Sequence, residues 1–335
     1  MGRRVLAGTH IDRDLAPPMT TQRIHSDFGG SRDALRAHLA MLLMVCIWGV
    51  NFSIVKDAFT VISPLAFNAL RFPFAAAIVT VAHQRRSRMF LPDRKDIKRL
   101  LVLGLLGNVV YQLCFVFGLA NTRASTASVL LAGTPIVTAV LSVAIGHEKL
   151  SKRVWTGVII ACTGIVLVVG AGSGTGGGQE KVLGDVLMIA ATIAWAVYSV
   201  GSRDLIRHYG AVAVTAWSLW AGTAGMVVIG LPDVLSAGVL SLSLKTWFAV
   251  SYAGALSVGV AYVLWSYGVR HLGNTRTATY SNLVPVIAVI VAWSWLGERP
   301  GAGQLLGATI IILGVMLAQR KDRTPVPAAP RAPLS

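Results

Sequence analysis

Charge is scarce in this chain, and acid scarcer still. Only 13% of its 335 residues are charged, and 14 Asp or Glu stand against 30 Lys or Arg. With 54% hydrophobic residues, a water-soluble fold of this length could not hide its apolar surface in a core. Cysteine is nearly absent. Cys46, Cys114 and Cys162 each fall inside an apolar block, which excludes a disulfide framework and a CxxC metal site. No GxxxxGK[ST] occurs, so ATP is not the driver. His147-Glu148 begins an HExxH pattern, but residue 151 is Ser. The first 36 residues lack the apolar core of about 7–15 residues that marks a signal peptide.

What the chain has instead is apolar runs of membrane-spanning length, such as Ala37 to Val55, Val182 to Val200 and Thr246 to Tyr267. Ten spans are expected, at 38–57, 65–83, 100–120, 125–145, 154–170, 183–202, 212–231, 246–268, 277–296 and 303–319. The fold class is therefore an all-α membrane protein of ten transmembrane helices, multi-pass in the bilayer. Residues 1–36 and the Pro-containing residues 320–335 are expected to be mobile or disordered tails, with Met19 and Met41 as alternative starts.

The net charge of +16 resembles a nucleic-acid footprint until the basic residues are placed. The loop from Gln84 to Arg99 holds seven Lys or Arg, and alternate loops and both tails hold most of the others. The opposite side holds only Lys56, Arg123, Lys181, Lys245 and Arg299. Positive charge marks the cytoplasmic face, so both termini are expected inside, and no nucleic-acid partner is implied.

An internal repeat is the most informative pattern. Gly118 and Gly268, Pro135 and Pro285, Glu148 and Glu298, Gly157 and Gly307, and Gly164 and Gly314 are all 150 residues apart. The unit spans 37–170 and recurs at 182–319, joined by a Gly-rich linker at 171–181. Each unit holds five spans, an odd number, so the copies enter the membrane from opposite sides. Two inverted five-helix repeats typify carriers that alternate access to a midplane site.

Several ordered motifs carry a family resemblance. Trp48-Gly49-Val50-Asn51-Phe52 stands in span one and Leu70-Arg71-Phe72 in span two. Span four has Leu131-Ala132-Gly133-Thr134-Pro135 with Glu148-Lys149 after it. The second copy has Asn282-Leu283-Val284-Pro285, Leu296-Gly297-Glu298-Arg299 and Gly307-Ala308. Together, over residues 40–318, they resemble the EamA-type branch of the drug/metabolite transporter superfamily. The resemblance implies two five-helix halves around a central cavity. It also implies small-molecule transport without ATP, often export of amino acids, metabolites or drugs, and a place in a bacterial inner membrane. The second half departs from the pattern, since Trp195-Ala196-Val197-Tyr198 stands where span one has Trp-Gly-Val-Asn.

Helical spacing supplies candidates for the cavity wall. Trp48, Asn51 and Phe52 share one face of span one, and Asn108, Tyr111, Gln112 and Phe115 share one of span three. Trp195 and Tyr198 do so in span six, and Tyr262 and Trp265 in span eight, while Asn282 precedes Pro285. Aromatic walls with a few amides suit amphipathic or aromatic solutes. The alternative for each is an interfacial belt or interhelical hydrogen bonding, and Trp217 and Trp220 are read that way. Pro135 and Pro285 are expected to free carbonyls for gating or to fix a static kink. Arg71 holds a substrate carboxylate or phosphate, fixes its helix, or snorkels, with the structural role preferred. Glu148 and Glu298 are placed where ion pairs would latch each closed state or where a helix simply ends.

Gly172-Ser173-Gly174-Thr175-Gly176-Gly177 fits GxGxxG, but it lies between two spans and reads as linker. Gly157 with Ala161 and Gly303 with Gly307 predict close packing within the fold, or alternatively a homodimer seam. The expected function is a secondary transporter, an exporter, of a small organic metabolite or drug across the lipid bilayer. A membrane-embedded enzyme or a receptor or scaffold is the alternative. No His, Asp or Glu sits mid-span, so no metal and no cofactor is expected and catalysis lacks its groups. Facilitated exchange, uniport, or proton coupling through the solute itself follows from the same absence.

Overall fold

The computed structural model describes residues 31–86, 91–145, 151–173, 179–272 and 274–319, and no strand occurs among them. Among the described residues ten helices have the length and hydropathy to cross a membrane. They are α1 (Leu35–Ala58), α2 (Pro64–Arg85), α3 (Arg94–Asn121), α4 (Ala124–Ala144) and α5 (Lys152–Ala171), then α6 (Lys181–Gly201), α7 (Ala211–Ser236), α8 (Leu244–Leu272), α9 (Thr277–Leu296) and α10 (Ala302–Gln319). Hydrocarbon offers no partner to an open backbone group, so each apolar run must close its own hydrogen bonds as a helix.

All ten expected spans are present, with shifted ends. α3 starts six residues early because Arg94, Lys95 and Asp96 form a polar first turn. α7 continues through Pro232 to Ser236. A short helix, Arg203–Tyr209, joins α6 to α7.

The helices pair as two exchangeable sets. α1 packs on α9 as α6 packs on α4, α2 on α8 as α7 on α3, and α1 on α8 as α6 on α3. α2 meets its own counterpart α7, and α5 meets α10. Each of these pairs survives when the first five helices are swapped for the last five, as an inverted repeat requires. The α5–α10 seam shows it at atomic scale. A Cβ on Gly157 would lie 2.6 Å from the Gly314 carbonyl oxygen, and one on Gly164 would lie 2.7 Å from that of Gly307. The small residues of these two helices therefore pack on each other within one chain.

Irregularities repeat as well. α3 widens into π-helical turns at Leu106–Val110, and α8 does so at Tyr252–Val260. α4 is two helices, Ala124–Leu131 and Thr134–Ala144; in the second copy Asn274–Ser281 is followed by Val284–Leu296. The breaks at Ala132-Gly133 and Asn282-Leu283 are 150 residues apart. This corrects the expected placement of Pro135 and Pro285 in the interior of a continuous helix. Each sits in the first turn of a new half-helix, where a missing N–H interrupts nothing. In the first copy the Leu131 carbonyl is not idle either, because it accepts the Thr134 hydroxyl at 2.6 Å.

Candidate functional site

Where α1, α3, α6 and α8 meet, their aromatic side chains form one continuous network. Trp48 lies 5.8 Å from Trp265 and 6.2 Å from Tyr262, ring centre to ring centre. Tyr262 reaches Trp195 at 6.2 Å, and Trp195 meets Tyr111 at 5.0 Å and Tyr198 at 5.2 Å. Tyr111 stacks on Phe115 at 6.0 Å, which meets Phe52 at 5.8 Å. Both copies contribute, two helices each. Trp48, Tyr111, Trp195, Tyr262 and Trp265 remain only half-buried although they are linked across four helices.

The π-helical turns shape this junction. A π turn shifts hydrogen bonds from i+4 to i+5 and exposes backbone groups to outside partners. The Trp48 indole N–H donates to the Ser257 carbonyl at 2.9 Å, and the Tyr252 hydroxyl donates to the Ile47 carbonyl at 3.1 Å. α1 and the widened part of α8 are thus held by two reciprocal bonds. In α3 the turn brings Gly107 against Tyr198, where a Cβ would fall 2.5 Å from the ring. The sequence carries no periodicity that marks these turns; paired glycines at 104 and 107 and at 254 and 259 are their only trace.

Arg71 stands at the edge of the network, on α2. It is fully enclosed, so the snorkelling reading does not apply. Its guanidinium donates to Gln112 Oε1 at 2.5 Å and lies 5.5, 5.8 and 6.0 Å from the rings of Phe67, Phe72 and Phe115. Among the described residues no carboxylate pairs with it, although an isolated cation deep in a bilayer costs on the order of 3 kcal/mol. Nearby amides are open too. Asn68 is wholly buried with neither amide atom bonded, and Asn51 Oδ1 and Arg71 Nε also lack partners. Asn68 escaped the sequence reading because no pattern distinguishes it from a structural amide.

Other candidates lie elsewhere. Asn108 turns to α7, donating to the Ser218 carbonyl at 3.2 Å and packing on Gly222. Asn282 donates to Gln319 Oε1 at 3.1 Å, at the end of α10. Both act as interhelical ties. Glu148 lies outside the described residues, as does the Gly-rich motif from residue 174 onward. The first two residues of that motif close the helix Lys152–Ser173, so no strand precedes it.

Glu298 follows the left-handed turn at Gly297 that ends α9. Its carboxylate accepts the backbone N–H groups of Ala124 and Ser125 at 2.8 and 3.0 Å and the Ser125 hydroxyl at 2.5 Å. It caps the start of α4 from the other repeat rather than pairing with Arg299, whose carbonyl accepts from Arg123 at 3.3 Å. On the same side Lys56 donates to the last carbonyls of α3, Leu119 and Ala120, at 2.8 and 2.7 Å, and Asp57 pairs with Lys245 at 2.7 Å. Asp185 accepts from Thr122 at 2.5 Å. Among the described residues no three His, Cys, Asp or Glu converge to hold a metal ion.

An aromatic box with amides and one guanidinium can stack on and orient a solute; it offers no nucleophile–base pair. Comparison with known proteins agrees. Residues 35–170 and 182–319 each match the EamA-like transporter family. The uncharacterized transporter YyaM of Bacillus subtilis (strain 168) is 25% identical over 300 residues, covering 87% of this chain and 96% of that protein. A probable terminal-alkyne amino-acid exporter of Streptantibioticus cattleyicolor is 25% identical over 286 residues, covering 85% and 94%. One solved crystal structure shares the fold with a TM-score of 0.58 at 21% identity, over 85% of this chain and 96% of that one. A duplicated five-helix unit, ten membrane helices and a family match across both copies make this a transporter rather than an enzyme. The chain is an integral multi-pass membrane protein that belongs to the EamA-like transporter family.

Proposed function

We propose that the protein is a secondary exporter of a small organic solute, working by alternating access between its two inverted repeats. The observation that carries this reading is the aromatic network, to which each repeat contributes two helices. A site built at the repeat interface is reachable from either side when one half rocks against the other. Trp48, Asn51, Phe52, Tyr111, Gln112, Trp195, Tyr198, Tyr262 and Trp265 form its wall. Export is favoured by the relative named as an amino-acid exporter. The basic loops support a cytoplasmic placement of both termini in a bacterial inner membrane. Acidic side chains within spans, Asp57, Asp96, Asp185 and Asp233, are engaged by Lys245, Tyr209, Thr122 and Ser63 near helix ends. That placement supports exchange, uniport or coupling through the solute's own ionisable group.

The test is solute accumulation in vesicles carrying the purified chain. Trp48→Ala, Asn51→Ala and Tyr262→Ala should each lower uptake at least fivefold while the folded protein is recovered in normal yield. Normal uptake by all three variants would place the solute path elsewhere.

A further inference from the structure

The central site, on the reading just given, holds a feature that aromatic stacking does not require. Arg71 is 2% exposed and Asn68, one helical turn before it on the same face of α2, is 0% exposed. A guanidinium has five N–H donors, yet Arg71 spends its one hydrogen bond on a neutral amide, Gln112, and its Nε has no partner. The rings of Phe67, Phe72 and Phe115 stand 5.5, 5.8 and 6.0 Å from its guanidinium carbon. The unbonded Nε lies on the in-plane edge of the guanidinium, which is the edge that binds oxyanions.

The two copies of the repeat differ here in how their polar groups are bonded. For the first two helices of each copy the offset is 147, since α2 and α7 begin at Pro64 and Ala211. Phe72 and Val79 accordingly share one cluster with Leu219 and Met226. The same offset carries Trp48 onto Trp195, Asn51 onto Tyr198 and Arg71 onto Ser218. In the second copy the Tyr198 hydroxyl and Ser218 Oγ are 3.0 Å apart and satisfy each other. In the first copy the equivalent pair is a cation and an amide, each with an atom unbonded. One half of the site is bonded within itself; the other is positive and keeps polar atoms without partners.

We propose that Arg71, steadied by Gln112 and accompanied by Asn68 and Asn51, is a carboxylate subsite, and that the exported solute is an organic acid or amino acid with an apolar or aromatic body. A single guanidinium with neutral amides balances one negative charge, which fits a carboxylate better than a doubly charged phosphate. The fork of Arg71 and a carboxylate are geometrically matched for paired hydrogen bonds. The body of the solute then reaches Tyr111, beside Gln112 in sequence, and the rings beyond it. A cationic solute would meet like charge at the same place.

The experiment is a thermal-shift titration of the purified full-length chain with hexanoate, phenylacetate and L-phenylalanine, each beside its primary amide, and with acetate alone. At least one acid should half-saturate at a concentration tenfold or more below its amide, and acetate should give no comparable shift. Arg71→Gln should reduce that preference to less than twofold, and Arg71→Lys should keep part of it. Should Arg71→Gln fail to fold, Gln112→Leu keeps the cation and removes its tether, and should weaken the acids selectively, severalfold. Equal binding of acids and amides, no shift with any acid, a shift with acetate as large as with the larger acids, or a preference that survives in Arg71→Gln would overturn the inference. Trp48→Ala and Tyr262→Ala should weaken acids and amides alike. If they do so while acids and amides bind equally, the aromatic site stands and only the role of Arg71 falls.

Discussion

Glu298 does at one residue what a salt bridge was expected to do. A carboxylate set on two free N–H groups at a helix start gains both hydrogen bonds and the favourable end of the helix dipole. It also joins the end of α9 to the start of α4, across the two repeats. Glu298→Ala should therefore lower stability by about 1–2 kcal/mol, the usual range for a lost cap. Glu298→Gln, with one acceptor oxygen left, should lose less. Thermal unfolding of both variants checks the order, and equal losses would mean that the capping bonds contribute little. Trp217 provides the contrast to the site residues. It is buried on α7, with ring centres of His83 at 5.5 Å and Tyr209 at 5.1 Å. Trp217→Ala should destabilise by roughly 3–5 kcal/mol, as large-to-small changes at packed aromatics do, and leave the half-saturating solute concentration unchanged. Trp48→Ala should behave oppositely, shifting transport more than melting, and matched assays on the two variants decide it.

Among elements, the helices themselves were plain in the sequence because hydrocarbon leaves an apolar run no other structure to adopt. Their interruptions were not. Pro135 and Pro285 were visible, but a proline within a span reads equally as a kink or as the start of a new half-helix. The break two and three residues earlier decides between them. The π-helical turns of α3 and α8 leave still less trace, since one added residue per turn does not alter hydropathy. Trp48 was found by its spacing, whereas its partner, the Ser257 carbonyl, belongs to the backbone and has no sequence signature. Glycine spacing was the more telling signal, and it makes a graded prediction. At Gly314 a Cβ would lie 2.6 Å from the backbone nitrogen of Ala161, and at Gly254 one would lie 2.3 Å from the Arg71 carbonyl oxygen. Neither neighbour is a side-chain end that can swing away, so the helices must separate. Gly314→Ala and Gly254→Ala should each cost about 1–3 kcal/mol, the range for overpacking. Gly170 has nothing within 4 Å of the same position, and Gly170→Ala should be neutral or stabilising by up to about 1 kcal/mol. Melting temperatures of the three variants would show the ordering.

At the scale of the whole molecule, the offset between the copies in the sequence, 147 residues over the first two helices and 150 over the later ones, becomes a two-fold exchange of helix contacts in space. The asymmetry between copies was legible as well, in Trp-Gly-Val-Asn against Trp-Ala-Val-Tyr. What that asymmetry does, leaving Asn51 and Arg71 open where Tyr198 and Ser218 close, needed coordinates, because it depends on partners in other helices. Orientation in the membrane rests on charge alone, and it can be tested directly. The turn between α1 and α2 should face outward, and the polar start of α3 should face the cytoplasm. Thr60 and Lys95 are exposed at these two places. Starting from a chain whose Cys46, Cys114 and Cys162 are replaced by Ala, Thr60→Cys should react with a membrane-impermeant maleimide in intact cells. Lys95→Cys should react only after the membrane is opened. The reverse pattern would invert the molecule and put the Glu298 cap on the cytoplasmic side, with the basic loop before α3 outside. Because the two repeats are themselves inverted, the helix packing would fit either orientation equally well, and only the placement of Lys and Arg chooses between them.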